Sequence, residues 1–463
     1  MIIADKDLPK DWHWVRCQDV IDVRDGTHDT PKYITQGIPL ITSKNLTRGF
    51  LDFSDVFFIS EADHKQIKKR SKVDKDDIIM PMIGTIGNPV IVDTDKEFSI
   101  KNVALFKFEN SSVFSPFFYY LLQSPLIVNQ LAADAQGVTQ QFVSLGSLRD
   151  LQIPLPPLAE QKRIAAIAQK ADRLRRTRRY ALQLSDTYLR SVFLEMFGDP
   201  VTNPKGWQTG QLNELCDKVI DCPHSTPIYA LDETPYACIR SSDIQKGYLD
   251  WSTTKYVDYD EYVKRVARSI PLLGDVIYCR EGARFGNAAK IPTGKKVCLG
   301  QRMMLFRADF KVATPEFIWG FLNCERTYQQ AVRRVGGTAS PHVNVEDIKA
   351  FATIIPPLPL QEKFAEIVQK FDRLRTQQRE ADRQAEHLFQ TLLHRAFRGE
   401  LTYQNADDEP ESVLLEEIRA QQAKAEAEAK TATQAMGEAA DYLGTKAKQQ
   451  DIEPIQLKFP GFE

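Results

Sequence analysis

The sequence predicts an α+β chain: two strand-rich mixed α/β domains separated by two long antiparallel helices that pair as a coiled coil, the whole an internal repeat with pseudo-two-fold symmetry. Three observations lead there. Compared with itself at an offset of 200, the chain matches window 156–175 (PPLAEQKRIAAIAQKADRLR) to window 356–375 (PPLPLQEKFAEIVQKFDRLR), with 12 identities in 20 positions. A repeat of that length is read before any local feature. The second observation is composition: about 150 residues before each match are rich in Pro, Gly, Phe and Tyr, with short β-branched runs between turn signals. The third is periodicity, since apolar residues after each match recur at alternating steps of three and four.

The elements follow in order. Residues 1–155 form the first strand-rich domain, with runs such as Val90-Ile91-Val92. Val20-Ile21-Asp22 is matched to Val219-Ile220-Asp221, and Gly49-Phe50-Leu51-Asp52 to Gly247-Tyr248-Leu249-Asp250. Residues 156–199 are a spacer helix that opens on Pro156-Pro157 and stops at Gly198, with proline at the start and glycine past the end. Its packing stripe includes Ile164, Ile167, Ala171 and Leu174. Residues 200–355 repeat the strand-rich domain, with Asp275-Val276-Ile277-Tyr278 as a strand signal. Residues 356–400 repeat the helix, with Phe364, Ile367, Phe371 and Leu374 in the matching stripe and Gly399 as its stop.

A 38-residue helix over 160–197 extends about 57 Å at 1.5 Å per residue, more than one turn of B-DNA at roughly 34 Å. Its stripe needs a partner, and the equivalent stripe of the other copy supplies one. The seam is imperfect, with Arg178, Ser185 and Gln378 on seam positions. Two-fold related copies pack isologously, hence antiparallel, which places one strand-rich domain at each end of a rod.

Charge and cysteine usage narrow the function classes. The chain has 60 Lys plus Arg against 62 Asp plus Glu in 463 residues. Residues 401–463 hold 13 acidic and 6 basic residues, a net of -7, so residues 1–400 carry +5 out of the total of -2. That excess permits a polyanionic partner without demanding one. The tail 401–463 is acidic and expected to be partly helical or disordered, with Val413, Leu414, Leu415 and Ile418 starting a short amphipathic pattern. No long apolar run is present and the first ten residues alternate in charge, so neither a membrane span nor a secretory signal is expected. Seven scattered cysteines without a CxxC pair read as reduced thiols in a cytoplasm.

The doubled Pro-Pro-Leu-x-x-Gln-x-x-x-Ala-x-Ile motif, together with Ala396-Phe397-Arg398-Gly399-Glu400-Leu401, resembles the specificity subunit of type I restriction-modification systems over residues 1–401. The resemblance implies two target recognition domains, each reading one half of a split, asymmetric DNA sequence. It also implies helices that act as spacer and as docking surface for two methyltransferase subunits, which recruit motor-nuclease restriction subunits. S-adenosylmethionine, ATP and Mg2+ would belong to those partners, with no cofactor, metal or catalytic residue on this chain. The motifs agree with that expectation. No Asn/Asp-Pro-Pro-Tyr/Phe motif occurs, Gly87-Asn88-Pro89-Val90 being the nearest, and no GxxxxGK[ST] loop or zinc-ligand spacing. Asp76-Asp77 reads as a turn rather than a nuclease pair, Asp77 standing in line with Asp275 before a strand.

Three places in each domain are candidate DNA contacts. The first is a basic run, Lys65, Lys68, Lys69, Arg70 and Lys72, with Lys264, Arg265 and Arg268 in the second copy. Such groups neutralise phosphates, and they equally suit a solvated helix face. The second is a glycine loop, Gly84-Thr85-Ile86-Gly87-Asn88, matched by residues 280–287, where Arg280 or Arg284 could pair with guanine or the loop could be a plain turn. The third is a polar loop, 136–141 and 336–342, in which Gln140 and Gln141 have the amide geometry that suits adenine. On the first helix Arg173, Arg175, Arg176, Arg178 and Arg179 read as a solvated face or as a partner surface, with a DNA contact behind both. Two other function classes stay open at this point: a self-contained DNA methyltransferase or nuclease, and a coiled-coil adaptor that binds no DNA.

Overall fold

A computed structural model of the chain describes residues 8–401, apart from 47–48, 84–86, 110, 137–140, 283, 293, 295 and 336–341, and four positions of the tail; within the first long helix the side chains of 183–187 are not described. The expected features of the tail therefore lie outside the described residues. Over the described part, contacts divide the chain into two compact units. The first takes residues up to Arg179 and from Glu380 onward, and the second takes Tyr180–Arg379. The division runs through both long helices, so neither helix is a domain of its own.

In the first unit a four-stranded antiparallel sheet has the order Asp22–Asp25, Val103–Lys107, Ile78–Pro81, Val90–Ile91. A three-stranded sheet places Ile38–Ile41 between antiparallel Phe57–Ile59 and parallel Ser99–Ile100. The strands His13–Arg16 and Gln152–Leu155 pair and close the domain. In the second unit the same order recurs: Cys216–Asp221, Met303–Ala308, Val276–Cys279, Ala288–Lys290 in one sheet. Tyr236–Ile239 lies between antiparallel Lys255–Tyr256 and parallel Lys296–Leu299 in the other. The strands Gln208–Gln211 and Ala352–Ile355 close this domain.

Duplication extends to individual polar bonds. Asp77 accepts from the buried Lys107 ammonium at 2.6 Å, and Asp275 from the Arg307 guanidinium at 2.7 Å. Burial pushes the Asp77 carboxyl above its ordinary range, against the bond from Lys107. The structural reading of Asp77 and Asp275 thus holds. Gln130 and Gln330 each bond both backbone groups of one strand residue, Gln152 and Ala352 respectively.

The long helices run Leu158–Phe197 and Leu358–Ala396, each after a Pro-Pro pair, and Gly198 and Gly399 lie past their ends at φ +78 and +72. The glutamine of the repeated motif explains why the helix begins where it does. Gln161, 2% exposed, accepts from Phe114 N at 2.7 Å and donates to Pro156 O at 2.9 Å and Ser112 O at 3.3 Å. Gln361 makes the matching bonds to Thr314 N, Pro356 O and Val312 O. Each glutamine bolts the first turn of its helix to a loop of the domain before it.

Within each unit the two helix halves pack antiparallel. In the first, Ile164, Ile167 and Ala171 join Phe389, Leu392 and Leu393 in one core, with Arg175 against Glu386 at 3.3 Å. In the second, Phe364, Ile367 and Phe371 meet Val192, Phe193 and Phe197, and Tyr188 stacks on Phe371. These seams are continuous with the domain cores. Phe117 packs on Phe397, and Phe317 on both Phe193 and Phe197, so the stripe serves its own domain as well as the other helix. Seven of the eight expected packing residues are buried, and Leu374 is half-buried while its neighbour Arg375 is enclosed. Burial and the nearby Arg379 press the Arg375 guanidinium down to about 10. Arg178 and Gln378, expected as polar seam residues, are buried as well.

Candidate nucleic-acid interface

The helix Glu61–Ser71 carries the first basic run, and its charges are largely matched within the domain. Lys65 faces Glu61 at 3.7 Å, Lys68 pairs with Glu97, Lys69 bonds Gln66 at 3.1 Å and Lys72 pairs with Asp74 at 2.5 Å. Arg70 leaves the run and pairs with Asp25. In the second unit Lys264 is exposed, but Arg265 is 5% exposed and largely committed. Its guanidinium donates to the backbone oxygens of Leu299, Ser225 and Pro223 and to Glu261. Arg265 is therefore corrected from a DNA contact to a structural clamp, because it is buried and four of its five N–H groups are bonded inside the domain. Arg268 donates to Asp221 O at 2.9 Å.

Of the glycine loops, 84–86 and Ala283 lie outside the described residues. Gly286, at φ +87, has no room for a side chain, since a Cβ there would meet Tyr328 at 2.4 Å. Arg284 is exposed at this turn. Arg280 is not: it is 9% exposed and its Nε lies 3.3 Å from Asp221. A direct base contact by Arg280 is corrected on the ground of burial alone, since its side chain is enclosed beside Asp221. Gln140 and residues 336–341 lie outside the described residues, while Gln141 is exposed beside the bridge between Gln136 and Phe142. Bridges join Ile83 to Phe142 and Glu281 to His342, so the glycine loop and the polar loop are neighbours in each unit.

The arginines of the first helix are not simply a wet face. Asp172, 1% exposed, accepts from Arg175 at 2.6 Å and Arg176 at 2.8 Å, and Arg176 also donates to Tyr119 Oη at 2.7 Å. Arg179 reaches Glu386 at 3.3 Å.

A second repeat escaped the sequence comparison. Asp25-Gly26-Thr27-His28-Asp29-Thr30-Pro31-Lys32-Tyr33 and Asp221-Cys222-Pro223-His224-Ser225-Thr226-Pro227-Ile228-Tyr229 share Asp, His, Thr, Pro and Tyr at an offset of 196. Strand register confirms the match, since Asp25 lies opposite Ala104 and Asp221 opposite Met304. The earlier pairing of Val20-Ile21-Asp22 with Val219-Ile220-Asp221 is thereby corrected: Asp22 lies opposite Lys107, which places it with Lys218 instead. In both units the histidine is exposed and hydrogen-bonded to the aspartate, at 2.8 Å for His28 and 2.7 Å for His224. Thr30 accepts from Lys101 and Thr226 from Gln301, residues that themselves match at an offset of 200. Arg70 in one unit, and Arg268 and Arg280 in the other, converge on this aspartate.

Two recognition-type domains of one topology, each joined to half of both long helices, define a duplicated specificity module. A model of the type I restriction modification DNA specificity domain matches residues 9–183 and again 204–385. The type I restriction enzyme EcoKI specificity subunit of Escherichia coli K12 is 22% identical over 426 residues, spanning 83% of this chain and 89% of that protein. The EcoBI specificity subunit of Escherichia coli is 24% identical over 429 residues, 84% of this chain and 86% of that one. The crystal structure of a type I restriction-modification S subunit from M. genitalium shares the fold at a TM-score of 0.50 and 13% identity, covering 86% and 98% of the two chains. The chain belongs to this family and is a type I restriction-modification specificity subunit. Among the described residues no helix is long and apolar enough to cross a membrane.

Proposed function

We propose that the chain reads a split, asymmetric DNA sequence, one half with each recognition domain, and carries two methyltransferase subunits and the restriction subunits to that site. The observation that carries this reading is duplication with selective divergence. The bonds at Asp77 and Asp275, Gln130 and Gln330, and Gln161 and Gln361 are kept, while residues 84–88 and 280–287, and 136–141 and 336–342, differ. Like frames with unlike loops suit two readers of unlike half-sites. The chain itself is a reader without catalysis, and S-adenosylmethionine, ATP and Mg2+ act on its partner subunits. Methylome sequencing of cells with and without this chain tests the reading. One bipartite methylated motif is expected to vanish when the chain is removed. An unchanged methylome, or methylation by the purified chain alone with S-adenosylmethionine, contradicts it.

A further inference from the structure

We infer that the loops 25–33 and 221–229 are matching DNA-phosphate anchors, with His28 and His224 as the contacting residues; this rests on the DNA-reading function proposed above. The argument starts from what the two units keep on their surfaces. Residues that discriminate bases must differ where the half-sites differ, whereas residues that hold the sugar-phosphate backbone serve both halves alike. His28 and Thr30, like His224 and Thr226, are exposed, so core packing does not explain their recurrence.

With both ring nitrogens protonated, each imidazole is a fixed cationic donor. Asp25 and Asp221 bond Nε2 of each imidazole and so orient the ring, the aspartate being itself held by Arg70 in one unit and by Arg280 in the other. In the first unit Nδ1 faces Asn102 Oδ1 at 3.1 Å, the place a phosphate oxygen would take. Asn102 at φ 55 and Arg302 at φ 71 hold left-handed backbone at matching positions, although neither is glycine. Strain retained in both copies marks a turn whose shape matters.

The anchor also stands beside the variable loops. In the second unit the backbone of Arg280 bonds Arg302 O through its N–H and Val343 N through its oxygen, tying the histidine loop's neighbour to the end of the polar loop. A sequence-independent grip next to divergent reading loops sets their register on the duplex.

The test uses His28→Gln and His224→Gln in the complex purified through a tag on the full-length chain. Glutamine keeps an amide that can bond the aspartate, and thermal melting checks that the loop's unit stays folded. Binding is measured to the duplex carrying the methylated motif and to an unrelated duplex. Each variant is expected to bind both duplexes about ten-fold more weakly, with the methylated motif unchanged. Wild-type affinity in both variants, or a loss confined to the cognate duplex, overturns the inference. Should a variant melt early, the wild-type complex is scanned with duplexes carrying single uncharged methylphosphonates. A sensitive phosphate is expected at the same position from the methylated base of each half-site, and unrelated positions in the two halves overturn the anchor. If the wild type itself prefers no duplex and binds none, the DNA-reading function has failed, and the anchor with it.

Discussion

Replacing Lys107 by methionine is expected to destabilise the first unit by about 3–5 kcal/mol, because it strands a carboxylate in a core. Asp77 is 2% exposed, and the Lys107 ammonium at 2.6 Å is its cationic partner, helped by the Asp74 N–H at 2.8 Å. The pH dependence has a definite sign. Burial already raises the folded carboxyl above its ordinary value, and loss of Lys107 raises it further. A carboxyl with a raised folded pKa favours folding when protonated, so the deficit grows as pH rises through that pKa and shrinks toward acid. Removing both charges with Lys107→Met and Asp77→Leu should recover much of the loss, since an ion pair replaced by apolar groups is often neutral. Hydrogen exchange at amides of the first unit, measured at pH 5 and pH 8, reads the parent and both variants. A Lys107→Met protein as stable as the parent at pH 8 contradicts this account.

Gln161→Ala and Gln361→Ala are each expected to cost about 2–4 kcal/mol in the unit that holds them. Every one of the three partners of Gln161 is a backbone group, and truncation leaves a part-buried N–H and two carbonyls, that of Pro156 buried, without this partner. Gln161→Glu should fare no better, because a carboxylate would accept from Phe114 N while facing two carbonyl oxygens with nothing to donate. Urea unfolding followed by hydrogen exchange checks both sites. A loss below about 0.5 kcal/mol at either one means that the glutamine does not fasten helix to domain.

Those two glutamines show what was legible in the sequence. Twelve identities in the 156–175 window announced a duplicated unit and a helix start, because the bonds of Gln161 and Gln361 need that side chain and no other. The apolar stripe was equally readable, since Ile164, Phe364 and their mates have to be buried wherever the partner lies. Its partners were less so: periodicity says that a face is covered, and Phe117 and Phe317 cover it from the domain side. Leu374 and Arg375 exchanged roles because a long aliphatic stem can lie inside a seam that a hydropathy pattern assigns to leucine.

The candidate interface was legible only in part. Charge counting cannot tell Arg265, locked among carbonyl oxygens, from Lys264 one residue earlier on the exposed side of the same helix. The loop at Asp25 and Asp221 was hidden by its offset of 196 and by the chance likeness of two Val-Ile-Asp triplets. Strand register resolves what identity alone confused.

The central claim is that each recognition domain specifies its own half of the target. Exchanging residues 1–155 for the corresponding domain of a family member with another motif, and sequencing the methylome of cells expressing the hybrid, tests it most directly. The account predicts that one half of the methylated motif changes to the donor's while the other half stays as it was. A hybrid that keeps both original halves, or changes both at once, would contradict it.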